Sequence, residues 1–393
     1  MACTVDAKSW TSKSKPIKTP ISTSQPVQTM TNQQGPGCIA VDAMGGDMGP
    51  EEVVHALRMA FDEVESIGRI MLVGDQAVLK PLLEQNGLAN EGRLTIHHAS
   101  EVIDMEDKPV HALKTKRDSS MVKALELVKT GTAQGMLSCG NTGALMSGGT
   151  LIVRRMAGIR RPALCSVIPN RHRHFILIDA GANPDATAED LVQNAILGSN
   201  YARVALYQAQ PRVGLLTIGT EEGKGSEKIH ETHRMLKAVN GIINYTGPVE
   251  GFQLFGNKVD VVVCDGFTGN ILIKGLESCY KMLSGFLKEE LLKTPTRKAG
   301  AFLSRGAYQT LKKKLSPEKF GGAPLLGLKG LVMKAHGSSN RVAIMCALRL
   351  AIETLQKDMV KQTLSDIEKA NTIIRSSRDE PAPASPVEEN LPS

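Results

Sequence analysis

Aromatic side chains are scarce in this sequence: one Trp, five Tyr and eight Phe amount to 4% of 393 residues, against 41% for all hydrophobic types. A packed interior must then be assembled from Ala, Val, Ile, Leu and the 16 Met, and a chain of this length has ample surface to bury. Long apolar runs are missing as well. None approaches the roughly 18 to 20 residues of a membrane-spanning helix, and the N-terminus has no signal-peptide core, so a soluble intracellular protein is expected. Seven cysteines, at positions 3, 38, 139, 165, 264, 279 and 346, form no C-x-x-C pair and gather no histidines, which argues against a zinc site or a disulfide framework. Cys139 and Cys264 end apolar runs, where a nucleophile can stand and where small buried packing residues stand as well. The G-x-x-x-x-G-K-[ST] phosphate loop, the G-x-S-x-G elbow and the H-E-x-x-H zinc motif are absent.

What is present is alternation. The apolar runs "CIAVDAM", "RIMLVGD", "RLTIHHA", "GMLSCGN", "ALCSVIP", "FILIDAGAN", "RVGLLTIGT" and "VDVVVCDG" are separated by amphipathic segments, among them 51–66, 119–130, 188–203 and 225–239. This order implies an α/β fold with an open, mostly parallel sheet and helices on both faces, whose ligands gather beyond the carboxyl ends of the strands. Residues 1–36 are rich in Ser, Thr, Lys, Gln and Pro, with one acid and no Arg, the composition of a disordered extension and a poor match to a transit peptide. Residues 375–393 are Pro-rich and acidic and read as a disordered tail, which leaves 37–374 as the folded body.

Five strand ends carry Gly beside Asp, Asn or Thr: "VDAMGGD", "SCGNTGA", "IDAGAN", "IGTEEGKG" and "CDGFTGN". Glycine admits a ligand close to the backbone, and exposed amides at a following helix N-terminus favour anions. Five such loops at one edge of one sheet would form a shared site. The first, in "IAVDAMGGDMGPE" (39–51), suits phosphate but not a dinucleotide, because Asp75 lies about 30 residues on where an acid at about 20 is required. Lys224, between Gly223 and Gly225, can reach a ligand oxygen or stand as an ordinary exposed lysine. Asn270, before "ILIKGL", can donate to a substrate or cap a helix, and His336 in "AHGSSN" can serve as an acid or a structural residue.

Together "AVDAMGGDMGP", "SCGNTGALM", "RPAL", "DAGAN", "VGLLTIGTEEGKG", "VVVCDGFTGN" and "GGAPLLGLKG" followed by "AHGSS" occur in the order and spacing of the bacterial phosphate acyltransferase family, which the sequence resembles over about residues 38–355. The resemblance implies a fold similar to isopropylmalate dehydrogenases and phosphotransacetylases with a protruding helical pair, and a homodimer. It also implies transfer of a long acyl chain from acyl carrier protein to inorganic phosphate for phospholipid synthesis, with no metal, organic cofactor or nucleic acid. Lys224 and Asn270 match the family's catalytic positions, and His336 is assigned as a donor to the phosphate or the departing thiolate. Asp42, Gly45, Gly46, Asn141, Thr142, Gly143, Asn183, Asp265 and Gly266 would line the phosphate and thioester pocket. Phosphate is already an anionic nucleophile, so attack on a thioester needs positioning and positive charge at the oxyanion, and no Ser-His or Cys-His pair. Two features depart from the family: the extension at 1–36, and Cys139 where Ala is commoner.

The formal net charge is +7, and nearly all of it is local: from Lys288 to Lys319, nine Lys and Arg face three Glu. Residues 288–319 read as a basic amphipathic tip, with Leu303, Ala307, Leu311 and Leu315 four apart beside Phe302, Tyr308 and Lys312 to Lys314. Acidic acyl carrier protein, an anionic bilayer or the other subunit each fit this segment. The resulting expectation is a cytoplasmic protein held peripherally at the inner face of the cell membrane, handing its product to a downstream glycerol-phosphate acyltransferase. A phosphotransacetylase using acyl-CoA is the alternative enzyme; an acyl-carrier or lipid-surface binding protein is the alternative without catalysis.

Overall fold

The computed structural model describes residues 37–219, 221, 224–315, 321–357 and 359–379. The extension expected at 1–36 lies outside the described residues. The strands are β1 Ile39–Asp42, β2 Ile70–Gly74, β3 Leu94–His98, β4 Gly135–Ser138, β5 Ala163–Pro169, β6 His174–Ile178, β7 Arg212–Thr217, β8 Asn244–Glu250, β9 Val261–Val263, β10 Gly322–Leu326 and β11 Leu331–Ala335. Helices α1 Gly49–Glu63, α2 Gln76–Gln85, α3 Pro109–Thr115, α4 Ser120–Lys129, α5 Thr142–Gly148 and α6 Ala188–Ala205 lie in the first half. They are followed by α7 Glu227–Ala238, α8 Gly266–Leu292, α9 Pro295–Leu303, α10 Arg305–Leu315, α11 Arg341–Gln356 and α12 Met359–Asp379. α12 carries the fold to residue 379, past the boundary expected at 374, and 380–393 lie outside the described residues.

Local chemistry accounts for these elements. α1 starts on Gly49 and Pro50 with Glu51 and Glu52 in its first turn, where acids complement the helix dipole, and it buries Val53, Val54, Ala56, Leu57 and Ala60. α6 opens on a reciprocal capping box between Thr187 and Asp190.

Eleven strands among the described residues form one sheet in the order β3-β2-β1-β4-β11-β10-β5-β6-β9-β7-β8. Seven of its ten neighbouring pairs are parallel; the antiparallel ones are β11/β10, β10/β5 and β5/β6. The fold is therefore the expected mostly parallel α/β sheet, with a reversal at its centre. β6, β9, β7 and β8 run opposite to β1, β2, β3, β4 and β11, so their carboxyl ends lie at the opposite edge. This corrects the expectation that all five glycine-bearing loops share one edge.

The pleat sorts side chains by parity. Ile39, Val41, Leu137, Met333, Ile176 and Ile178 form one continuous core with α1, α6, α7, α11 and α12. On the other face, Ala40, Met136, Val332 and Leu325 pack with α4 and α5, while Phe175, Leu177 and Val262 pack with Leu272, Ile273 and Leu276 of α8. Between these two patches, Leu164 and Ser166 of β5 and Ala323 of β10 are only half-buried.

Candidate active site

At the edge where β6, β9 and β7 end, the hub is Asp179. Its fully buried carboxylate accepts the amides of Leu164, Gly181 and Ala182 on Oδ1 at 3.1, 3.0 and 2.8 Å. Oδ2 accepts the Asn183 amide at 2.7 Å and its side-chain amide at 3.1 Å. Burial pushes the Asp179 carboxyl above the ordinary aspartate value, and the backbone amides pull it back only in part. Asn183 also donates to the Pro162 carbonyl at 2.7 Å, so its side-chain amide braces the loop.

The start of α8 is pressed onto this loop. A Cβ at Gly266 would lie 2.7 Å from the Asn183 amide nitrogen, and one at Gly269 would overlap the Asp179 carbonyl oxygen. Gly181, at φ +138, turns the loop beneath Asn270 in a conformation that favours glycine. These glycines bring backbone against backbone. Asp265 caps α8 by accepting the Thr268 amide at 2.9 Å and pairs with Lys228 of α7, also at 2.9 Å. Burial pushes the Asp265 carboxyl up, but Lys228 and the Thr268 donors outweigh it and hold the pKa below the ordinary value. Asn270 is exposed, and its side chain makes no hydrogen bond among the described residues. Lys224 is exposed just ahead of α7, beyond the carboxyl end of β7; Thr220, Glu222 and Gly223 lie outside the described residues. The Lys228–Asp265 pair thus ties together the segments that carry Lys224 and Asn270.

At the opposite edge, Asp42 Oδ2 accepts the Ser138 hydroxyl at 2.6 Å, and Oδ1 accepts the amides of Met44 and Gly45 at 3.2 and 3.3 Å. Gly45 and Gly46 pack on the β4 loop: added Cβ atoms would lie 2.9 Å from Gly140 Cα and 3.0 Å from Cys139 Cβ. Asn141 is buried; its Oδ1 caps α5 through the Ala144 amide, and its Nδ2 donates to the carbonyls of Asp104, Met105 and Asp107. Those contacts engage both ends of the Asn141 amide in holding the loop, which removes it as a phosphate donor. Thr142 is exposed, and Gly143 sits against Pro109. His336 is exposed at the end of β11, with Nδ1 accepting the Ser338 amide at 3.2 Å, which leaves the proton of the neutral ring on Nε2. The structure therefore gathers Lys224, Asn270, Asn183, Asp265 and Gly266 at one edge, and Asp42, Gly45, Gly46, Asn141, Thr142, Gly143 and His336 at the other.

Three charged groups at these strand ends and helix starts escape sequence reading. Lys228 follows Lys224 by one helical turn, which is the signal that could have found it. Lys334 stands two residues before His336, where its Nζ donates to the Cys139 carbonyl at 3.3 Å. Burial lowers its pKa although Asp42 and Asp47 lie nearby. Asp179 is invisible as a hub because its burial and its donor from Leu164 of β5 are set by the fold, although the other four donors come from residues 181–183 just after it. Neither buried thiol is a ready nucleophile: burial pushes Cys139 up to about 12 and raises Cys264 further. Among the described residues no group of three or more His, Cys, Asp and Glu stands together that could hold a metal ion.

Residues 38–362 match the model of a family described as fatty acid synthesis protein. A phosphate acyltransferase from Bacillus pumilus is 42% identical over 338 residues, 85% of this chain and 98% of that protein. One from Methylococcus capsulatus is 40% identical over 319 residues, 81% of this chain and 93% of its own length. Among solved structures, a phosphotransacetylase from Streptococcus pyogenes superposes with a TM-score of 0.53 at 18% identity, covering 81% of this chain and 94% of that one. At this identity the likeness shows the fold alone.

Proposed function

The chain belongs to the fatty acid synthesis protein family and is an acyltransferase, and from that premise we propose that it moves a long-chain acyl group from acyl carrier protein to inorganic phosphate, making acyl-phosphate for phospholipid synthesis. The observation that carries this reading is the pairing of exposed Lys224 and Asn270 on neighbouring strand ends with buried thiols that stay protonated. Phosphate supplies its own nucleophilic oxygen, so the reaction proceeds by direct attack on the thioester carbonyl with no acyl-enzyme. The carbonyl becomes an oxyanion, its collapse expels the thiolate, and the acyl-phosphate bond remains. Lys224 holds the phosphate and the developing oxyanion, and the Asn270 amide orients the carbonyl. Asp265 and Gly266 set the start of α8 that presents Asn270, and Asn183 braces the loop beneath it. Asp42, Gly45, Gly46, Thr142, Gly143 and His336 shape the other end of the half-buried strip over β5 and β10.

The projecting helices supply the partners in this reading. α8 exposes Leu283 and Phe286 along its outer length, which suits the second subunit of a homodimer. The α9–α10 end exposes Phe302 and Leu303 beside Arg305, which suits an anionic bilayer and peripheral association. No helix among the described residues is long and apolar enough to cross a membrane.

Incubation of the purified protein with palmitoyl-acyl carrier protein and phosphate should give acyl-phosphate, and acetyl-CoA should be a poor donor. Lys224→Ala should lower turnover about 10²-fold or more, as loss of an oxyanion donor does, with the circular dichroism spectrum unchanged. Product from acetyl-CoA alone would overturn the donor assignment, and near-normal turnover of Lys224→Ala would remove Lys224 from the mechanism.

A further inference from the structure

A cavity of about 270 Å³, sharing no residue with either strand-end group, is lined by Thr150, Arg154, Arg155, Met156, Ile159 and Lys329. It therefore carries three cations and no acid. A π-helical turn, Gly149–Val153, leads into Arg154, whose φ of +73 is one that residues with a side chain rarely adopt. Backbone bonds hold it there: the Arg154 amide donates to the Gly149 carbonyl at 3.0 Å, and the Lys329 amide donates to the Arg154 carbonyl at 2.9 Å. Arg155 is fixed in turn by donating to the Arg160 carbonyl. Among the described residues no carboxylate pairs with Arg154, Arg155 or Lys329.

Three like charges around one concavity repel one another, and an anion between them relieves that repulsion. Two guanidinium forks and an ammonium match the tetrahedral oxygens of a phosphate. The Thr150 hydroxyl is committed to the Met146 carbonyl at 3.0 Å, so recognition rests on the cations.

We propose that this pocket binds the phosphate group of a ligand, at a site separate from the Lys224 and Asn270 segments. The β10–β11 turn that carries Lys329 lies at the same sheet edge as the carboxyl end of β9. Three strand spacings separate β10 from β9, ~14 Å. A ligand with a phosphate at one end of an arm and a thioester at the other spans that interval; free phosphate fills the pocket alone.

The test is calorimetric titration of the full chain at low salt with inorganic phosphate and, separately, phosphopantetheine, in a Lys224→Ala background that weakens binding at the first site. At least one probe should bind, with affinity falling as salt rises. Lys329→Gln and Arg154→Gly should each weaken that binding at least tenfold. Glycine tolerates the φ at position 154, so an unchanged or higher Tm in Arg154→Gly separates lost charge from lost fold. Binding of inorganic phosphate identifies the free anion as the occupant, and binding of phosphopantetheine alone identifies an arm. Absence of binding by both probes, or equal binding by the pocket variants, would overturn the proposal whatever the fate of Lys224.

Discussion

Lys228 Nζ lies 2.9 Å from Asp265 Oδ2, and this contact joins the first turn of α7 to the cap of α8. Asparagine caps a helix about as well as aspartate, so Asp265→Asn removes the ion pair and keeps the cap, whereas Asp265→Ala removes both and costs about 1 kcal/mol more. The folded carboxyl titrates below the ordinary aspartate value. Its contribution to stability is therefore present above that value, near 3.9 in unfolded chains, and is lost as the pH falls through the folded pKa. Urea unfolding of wild type and Asp265→Asn should show a difference at neutral pH that shrinks below about pH 4. A difference unchanged down to about pH 2.5 would contradict the pairing.

Gly269→Ala places a methyl group onto the Asp179 carbonyl oxygen, a backbone atom that cannot rotate away. Overpacking of this kind costs about 1–3 kcal/mol or more. We expect a lower urea midpoint and a loss of turnover larger than that of Gly275→Ala on the same helix, where an added Cβ meets nothing within 4 Å, because the shift displaces Asn270. Wild-type stability in this variant would show that α8 does not depend on the close approach.

How much of this was legible in the sequence depends on what holds each part. The eight apolar runs are all strands, since fully or half-buried strands announce themselves by composition. β8, "NYTGPVE", escaped notice because it is an edge strand pairing only with β7, and its Thr246, Gly247 and Pro248 look like a turn. β10 escaped as well; it lies antiparallel to both β11 and β5, and the antiparallel β5/β6 pair beside it then turns β6, β9, β7 and β8 the other way. Strand direction is a tertiary property, and so the five similar loops could not be divided between two edges from their residues. In sequence the glycines of "CDGFTGN" suggest room for a ligand, yet Gly266 and Gly269 make room for a neighbouring loop; spacing alone does not distinguish the two. The stripe from Leu303 to Leu315 reads as one helix, but the chain breaks at Ser304 between α9 and α10, and the side chains of Lys312 to Lys314 lie outside the described residues.

The cysteines give a reactivity order. Cys38, Cys139, Cys165 and Cys264 are buried with raised pKa values, while Cys279 on α8 is exposed. The thiolate is the reacting form, so iodoacetamide at about pH 8 should modify Cys279 first among the described cysteines and leave Cys139 and Cys264 intact by peptide mapping. Acyl transfer should survive that labelling. Early modification of Cys139 with parallel loss of activity would restore a thiol to the mechanism.

The end of the projecting arm offers the sharpest separation of surface from core. Phe302 and Leu303 are 74% and 84% exposed, so replacing both by Ser removes apolar contact with an outside partner and little internal packing. Full burial of such side chains is worth about 1.5–3 kcal/mol each, enough for a loss of tenfold or more in binding if a bilayer takes them up. The double variant should keep its urea midpoint and its turnover on soluble substrate. Its co-flotation with phosphatidylglycerol vesicles should fall, and raised salt should weaken wild-type flotation by screening Arg305 and its neighbours. If flotation is unchanged while sedimentation shows a dimer dissociating, the two residues belong to the subunit contact, and the bilayer must be met by another part of the molecule.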